Sequence, residues 1–273
     1  MPGMLLGDNG RYRVERLLHK GVDSQLYVGY DTFRDHNLII KCLVRFPSES
    51  PWQRHRAYDR FQKSVHVQML ASAICPTNIP AVYSFMETYQ CAIMQFVEGN
   101  TLLSLLNRQV APLDEHIALT YIRDVSAVIA ALHDRPQPLV HLDLKPNNLL
   151  LDRNERVWLI DFGLAQVIFS DQKSLPFTDG GSVGFAPPEQ WEGVVELRSD
   201  VYALAATLYT LVTNYVPSSS TTGDHAKVLR PSAREFNPHL SIAVEELILN
   251  GLADSVTERP SAREWLQAVQ ALL

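Results

Sequence analysis

Hydrophobic and polar positions change their rhythm near Phe96-Val-Glu-Gly99. Before that point, short apolar runs broken by polar turns predict strands. Tyr12 to Leu18 opens with alternation, and the run Leu26–Tyr30 meets Leu38–Val44 across a polar turn. Ala81–Phe85 and Cys91–Phe96 predict a further hairpin, and one helix is expected at about Ala57–Ala73. After residue 99 the period lengthens to that of helices. Ile117, Tyr121, Val125, Val128 and Leu132 recur every three to four residues, an apolar stripe along one helical face. Asp200–Thr213 is apolar nearly all round, as in a helix buried within a core. Ser261-Ala-Arg-Glu264 has the capping-box pattern that opens a last helix, with Ala262, Trp265, Leu266 and Val269 inward.

One short hairpin carries the chemistry. Leu149–Leu151 and Val157–Ile160 flank the polar turn 152–156, so the start of the first strand lies beside the end of the second. Asn148 and Asp161 then arrive together, two oxygen ligands facing one point. A hard cation such as Mg²⁺ commonly takes one or two protein oxygens and completes its shell with substrate phosphates. Asp143 and Lys145, just upstream, add a carboxylate able to accept a hydroxyl proton and a cation for a phosphoryl group in transfer. The set describes a phosphoryl-transfer site.

His141-Leu-Asp143-Leu-Lys145-Pro-Asn-Asn148 and Asp161-Phe162-Gly163 resemble the catalytic loop and metal-binding triplet of the eukaryotic-type (Hanks-type) serine/threonine protein kinases. The wording of Pro146-Asn-Asn-Leu-Leu150, Phe185-Ala-Pro-Pro-Glu-Gln190 and Glu258-Arg-Pro260 looks bacterial, nearest to the cyanobacterial branch. The resemblance covers almost the whole chain and implies an α+β, two-lobed fold. A small β-rich lobe with one main helix would span 1–96, and a larger, mostly helical lobe 97–273. It implies ATP and Mg²⁺ (or Mn²⁺), with Asp143 and Lys145 catalytic and Asn148 and Asp161 on the metal. Lys41, in Leu38-Ile-Ile-Lys41, would reach the α- and β-phosphates. Leu26, Ile39 and Leu150 would wall the adenine pocket beside Met94 as gatekeeper, with the backbone of Gln95 and Val97 facing the base. Ser182 matches the hydroxyl residue that bonds the catalytic Asp and Lys. Phe162, Gly163 and Asp200 match structural positions, and Glu189 would pair with Arg259.

The departures are specific. Gly-x-Gly-x-x-Gly becomes His19-Lys-Gly21-Val-Asp-Ser24, which keeps only the central glycine, Gly21. Ile39 replaces a small residue. Between Ser50 and Met86 the only acidic residue is Asp59, so no glutamate is available to pair with Lys41. Its expected place falls near Val67, with His66 and Gln68 as neighbours. Leu142 stands where many relatives have the Arg that binds phosphate on the activation loop, so Ser170, Ser174, Thr178 and Ser182 lack the obvious partner for such a switch.

Composition sets the limits. The 273 residues are 46% hydrophobic and 20% charged, ordinary for globular protein. A net charge of −6 gives no basic footprint for nucleic acid, and no apolar run approaches the roughly 20 residues that cross a bilayer. Cys42, Cys75 and Cys91, scattered and odd in number, suggest neither a metal nor a disulfide framework, and a cytoplasmic setting is expected. Partners are then a protein substrate or a regulatory protein, with no nucleic acid and no membrane insertion. Two functions compete: an active kinase of reduced or unusual rate, or a non-catalytic pseudokinase scaffold that binds nucleotide or a partner. A small-molecule kinase would share Asp143, Asn148 and Asp161, but Lys145, Ser182 and the Glu189/Arg259 pair belong to protein-substrate machinery.

Overall fold

The structure, a computed structural model, describes residues 1–21, 23–44, 49–168, 180–217 and 231–273. Ser170, Ser174 and Thr178 lie outside the described residues. The chain divides into two units, Met1–Glu98 and Gly99–Leu273. The first is built on β1 (Leu5–Leu6), β2 (Tyr12–Lys20), β3 (Ser24–Asp31), β4 (His36–Leu43), helix α1 (Pro51–Ile74), β5 (Val82–Met86) and β6 (Cys91–Gln95). The strands form one antiparallel sheet in the order β1-β2-β3-β4-β6-β5. Register decides which side chains share a face. Leu26 lies opposite Lys41, Lys41 opposite Ala92, and Ile39 opposite Met94. With a period of two, Leu26, Ile39, Lys41 and Met94 therefore share one face. Phe61 and Val65 of α1 pack on that face against Ile39, Ala92 and Met94.

Two expectations need correcting in this unit. The helix begins at Pro51, about two turns before Ala57. Ser50 and Gln53 cap it reciprocally, each side chain accepting from the other's backbone N–H, with Pro51 at the first helical position. Apolar periodicity conceals this start because residues 51–56 are all exposed. The cysteines are not all single either. Cys42 and Cys91 are register partners on β4 and β6, their Cα atoms 4.1 Å apart, and they form a disulfide within the core on the opposite face of the sheet. Spacing 49 residues apart in sequence hid a pairing that the sheet creates.

The second unit holds β7 (Gly99–Thr101), α2 (Leu102–Gln109), α3 (Glu115–His133), β8 (Leu139–Val140), β9 (Leu149–Asp152), β10 (Val157–Leu159), β11 (Gln166–Val167) and α4 (Pro188–Trp191). It continues with α5 (Arg198–Thr213), α6 (Ala233–Phe236), α7 (Ile242–Gly251) and α8 (Ala262–Ala271). Every residue of α5 from Ser199 to Thr213 is buried, so its all-round apolarity reflects a central position. The stripe on α3 holds at Val125, Val128 and Leu132 but not at Ile117, which is exposed, and Ala118, Leu119, Ile122, Ser126 and Ile129 widen the buried face. Trp265 of α8 is fully buried and its indole N–H donates to Ser126 Oγ at 3.0 Å, fastening α8 to α3. The hairpin β9–β10 pairs Leu149 with Leu159 and Leu151 with Val157, and β7 adds a third strand. Together these elements are the two-lobed architecture: a β-rich lobe with one helix, and a helical lobe.

No helix among the described residues is long and apolar enough to cross a membrane.

Candidate active site

The loop between β8 and β9 brings Asp143, Lys145 and Asn148 together with Ser182 from a later segment. Lys145 Nζ donates to both carboxylate oxygens of Asp143, at 3.0 and 2.8 Å, and to Ser182 Oγ at 2.6 Å. Ser182 Oγ in turn donates to Asp143 Oδ1 at 2.7 Å. The buried Asn148 donates through Nδ2 to the Asp143 backbone carbonyl at 2.8 Å and to Oδ2 at 2.9 Å. Both amide hydrogens are committed to Asp143, which turns the Asn148 amide oxygen away from that carboxylate. Asp143 is thus gripped by a cation, a hydroxyl and an amide, in the geometry of charge-assisted bonds.

The hairpin sets the distance between the two proposed metal ligands. Ile160 N–H donates to Asn148 O at 2.9 Å, so Asp161 follows immediately beside Asn148. Asp161 is exposed and has φ +64°, a left-handed conformation that is uncommon for a side-chain-bearing residue. An amide oxygen and a carboxylate form a hard donor pair that suits Mg²⁺, which keeps its other positions for water and phosphate. Phe162 is 1% exposed and meets the buried His141 ring edge-on at 4.9 Å. Burial holds the His141 imidazole pKa below its usual value, against the opposing pull of Asp200, Asp143 and Asp161. Its Nδ1 accepts the Asp143 N–H at 3.4 Å, which leaves the proton on Nε2.

Asp200, fully buried at the start of α5, organises the loop from below. Its Oδ1 accepts Leu142 N–H at 2.8 Å, and its Oδ2 accepts His141 N–H and binds His133 Nε2, both at 2.9 Å. Leu142 adopts φ +64° between these bonds. Farther along, Arg259 and Glu189 form a bidentate pair at 2.5 and 2.8 Å. Arg259 is 1% exposed, donates also to Ala253 and Asp254 carbonyls, and lies 5.0 Å from the Tyr202 ring centre. Ser199 Oγ gives Glu189 a third donor at 2.7 Å.

The remaining expected residues fall on the first unit, apart from Leu150, which pairs with Trp158 in the hairpin. Lys41 is buried, not at a solvent-facing strand edge. Leu26, Ile39 and Met94 share its face of the sheet, as the pairing above requires. Gln95 departs in part: its N–H donates to Ala81 O at 2.8 Å, so that amide is not available to a base. Val97 follows it, half-buried. Gly21 closes the β2–β3 turn, its N–H donating to Ser24 O at 2.9 Å. The one glycine left in this loop therefore spends its amide on the turn. Helix α1 buries Phe61, Ser64, Val65, Val67 and Gln68, while His66 is exposed. The face centred on Phe61 and Val65 passes through Ser64 and Gln68, with Val67 on its flank. Val67, near which the absent glutamate is expected, is buried, as is Ser64 one turn earlier, and Gln68 already donates to Pro80 O.

Three contributors escaped the sequence reading. His133 ends α3 and reads there as a surface residue. His141 appeared only as part of a motif. Gln190 is buried and donates through Nε2 to Leu142 O at 3.0 Å and to Gly180 O at 3.1 Å. No local pattern marks such a residue, because its partners lie 48 and 10 positions away.

Residues 12–269 match the protein kinase domain. The chain is 30% identical over 97% of its length to the serine/threonine-protein kinase PrkC of Bacillus subtilis (strain 168), covering 41% of that protein. It is 29% identical over 91% of its length to the probable serine/threonine-protein kinase PknB of Lactococcus lactis subsp. lactis (strain IL1403), covering 40% of it. With the serine/threonine-protein kinase pkn3 of Myxococcus xanthus the figures are 31%, 94% and 49%. The chain thus spans less than half the length of these relatives. A β-rich lobe with one helix, a helical lobe and a match across 12–269 have one meaning: the chain belongs to the Hanks-type serine/threonine protein kinase family.

Proposed function

We propose that this domain transfers the γ-phosphoryl group of ATP to a serine or threonine hydroxyl of a protein. The observation that carries the reading is the junction of Lys145, Asp143 and Ser182. A carboxylate that already receives the Ser182 hydroxyl has the geometry to orient a substrate hydroxyl and accept its proton. Lys145 Nζ, held by that carboxylate, offers positive charge where the transferred group gains negative charge. Asn148 and Asp161 would hold Mg²⁺ or Mn²⁺, and the ion would neutralise phosphate charge. Lys41 would bind the α- and β-phosphates, with Leu26, Ile39, Met94 and Leu150 as apolar walls for adenine and the backbone of Val97 facing its edge. Phe162, Gly163, Asp200 and the Glu189–Arg259 pair would maintain the frame. A protein substrate and a nucleotide drawn from the cytoplasm complete the reading.

The test is incorporation of radiolabel from ATP into a generic acceptor protein. Asp143→Asn and Asp161→Asn should each abolish it while leaving the thermal midpoint close to the parent's. Equal incorporation by either variant would sink the assignment. One observation favours a second reading, a nucleotide-binding scaffold without turnover: the buried face of α1 carries no carboxylate. ATP that raises the thermal midpoint without any transfer would select that reading.

A further inference from the structure

We infer that Gln190 is a positioning residue that ties the segment carrying Ser182 to the loop carrying Asp143, in place of a phosphate-dependent clamp. The two hydrogens of its amide nitrogen meet two carbonyls, Leu142 O at 3.0 Å and Gly180 O at 3.1 Å. Because both partners are acceptors, the amide can face them only with its nitrogen. Leu142 O belongs to the peptide that joins Leu142 to Asp143, and Gly180 lies two residues before Ser182. This side chain therefore adds a backbone tie between the two segments, beside the direct side-chain contacts of Lys145 and Ser182 with Asp143.

Two neighbours are shaped around this tether. Gly181 has an ordinary backbone conformation, yet a Cβ there would lie 2.8 Å from Gln190 Nε2 and 2.4 Å from Ala186 Cβ. Only glycine lets the segment pass so close to the amide. Leu142, with its left-handed backbone, has both peptide groups held by side chains: its N–H by Asp200 Oδ1 and its C=O by Gln190. Its own side chain is buried with Val140 and Val195 against Leu164, Ile168 and Leu197. The position that could have offered a cation to a phosphorylated loop thus serves as apolar packing. Gln190 is 2% exposed, so its bonds compete little with water. Alignment of Ser182 with Asp143 is then built into the fold and needs no phosphate.

Gln190→Glu keeps the shape and turns a carboxylate toward two carbonyls; Gln190→Met keeps the volume and removes both donors. Either should lower kcat by about 10–100-fold, the scale of a small misplacement at a reacting group. KM for ATP should stay at the parent's value, since nothing in the tether touches nucleotide. Hydrogen exchange should quicken in peptides covering 141–148 and 180–186 and nowhere else. Phosphatase treatment of the parent should change neither turnover nor exchange. The kinetic arm rests on the transfer activity proposed above, whereas the exchange arm does not. A parent without turnover would sink the transfer reading and leave exchange to decide the tether. Unchanged exchange in both variants, or parent turnover lost on dephosphorylation, would overturn the inference.

Discussion

Arg259 and Lys145 are both cations bonded to carboxylates, yet they do different work. Arg259 is buried with five carbonyl or carboxylate oxygens as acceptors across three chain segments, whereas Lys145 keeps 23% of its side chain exposed. Removing one member of a buried pair strands the other, at a cost of about 3–5 kcal/mol. Arg259→Ala should therefore shift the denaturant midpoint strongly, and Lys145→Ala should shift it little while removing turnover. Equal midpoints for Arg259→Ala and the parent would contradict this. His141 supplies a pH test. Its pKa is lowered in the folded state chiefly by burial, so the unfolded chain binds the proton more readily. The stability this contributes is full above the ordinary value of 6.5 and is lost as pH falls toward the depressed folded value. Unfolding free energy measured from pH 7 downward should decline, and His141→Asn should flatten part of that decline. The catalytic loop was legible as a local motif, and the Glu189–Arg259 pair, 70 residues apart, because the family resemblance names both positions. Gln190 and His133 were not, since no motif names their partners.

Among the elements, hairpin β9–β10 was the most readable, being local and bounded by a polar turn. Helix α1 was the least, because its first two turns are polar and its inward face depends on the sheet beneath. That register now directs an experiment. Ser64 is buried one turn after Phe61, which packs with Val65 against Ile39, and its hydroxyl donates to Phe61 O at 2.8 Å. Ser64→Glu would bury a charge there and should lower the thermal midpoint, whereas Ser64→Ala should change it little. A Ser64→Glu midpoint equal to the parent's would contradict this burial. Strands β4 and β6 give a second prediction. A cross-link that closes a 49-residue separation should contribute about 2–4 kcal/mol, mainly by restricting the unfolded chain. A reductant should therefore lower the thermal midpoint, and Cys42→Ala/Cys91→Ala should remove that sensitivity. No difference between reduced and untreated protein would mean that the pair is held as thiols.

At the scale of the whole molecule, the order of elements matched the sequence because each pattern is local: strand-like runs dominate before residue 99 apart from α1, and helical stripes dominate after it apart from short strands such as the β9–β10 hairpin. The disulfide and the widened face of α3 did not, since both are decided by which surfaces meet. Nucleotide binding can be tested on the intact chain. Millimolar ATP with Mg²⁺ should raise the thermal midpoint by mass action, and Asp161→Asn should cancel the metal-dependent part. No shift in the parent would remove nucleotide from the account.

The Glu189–Arg259 pair also has a consequence for synthesis. Its members are 70 residues apart, and Trp265 reaches back 139 residues to Ser126. At about 5–20 residues per second, a ribosome that has made Glu189 needs roughly 4–14 s more to reach Arg259. During that interval Asp143, Lys145 and Ser182 already exist, but Glu189 has no cation to hold it and α8 has not docked on α3. The frame around Asp143, Lys145 and Ser182 is therefore complete only after Arg259 and Trp265 have been made and have folded back onto segments synthesised seconds earlier.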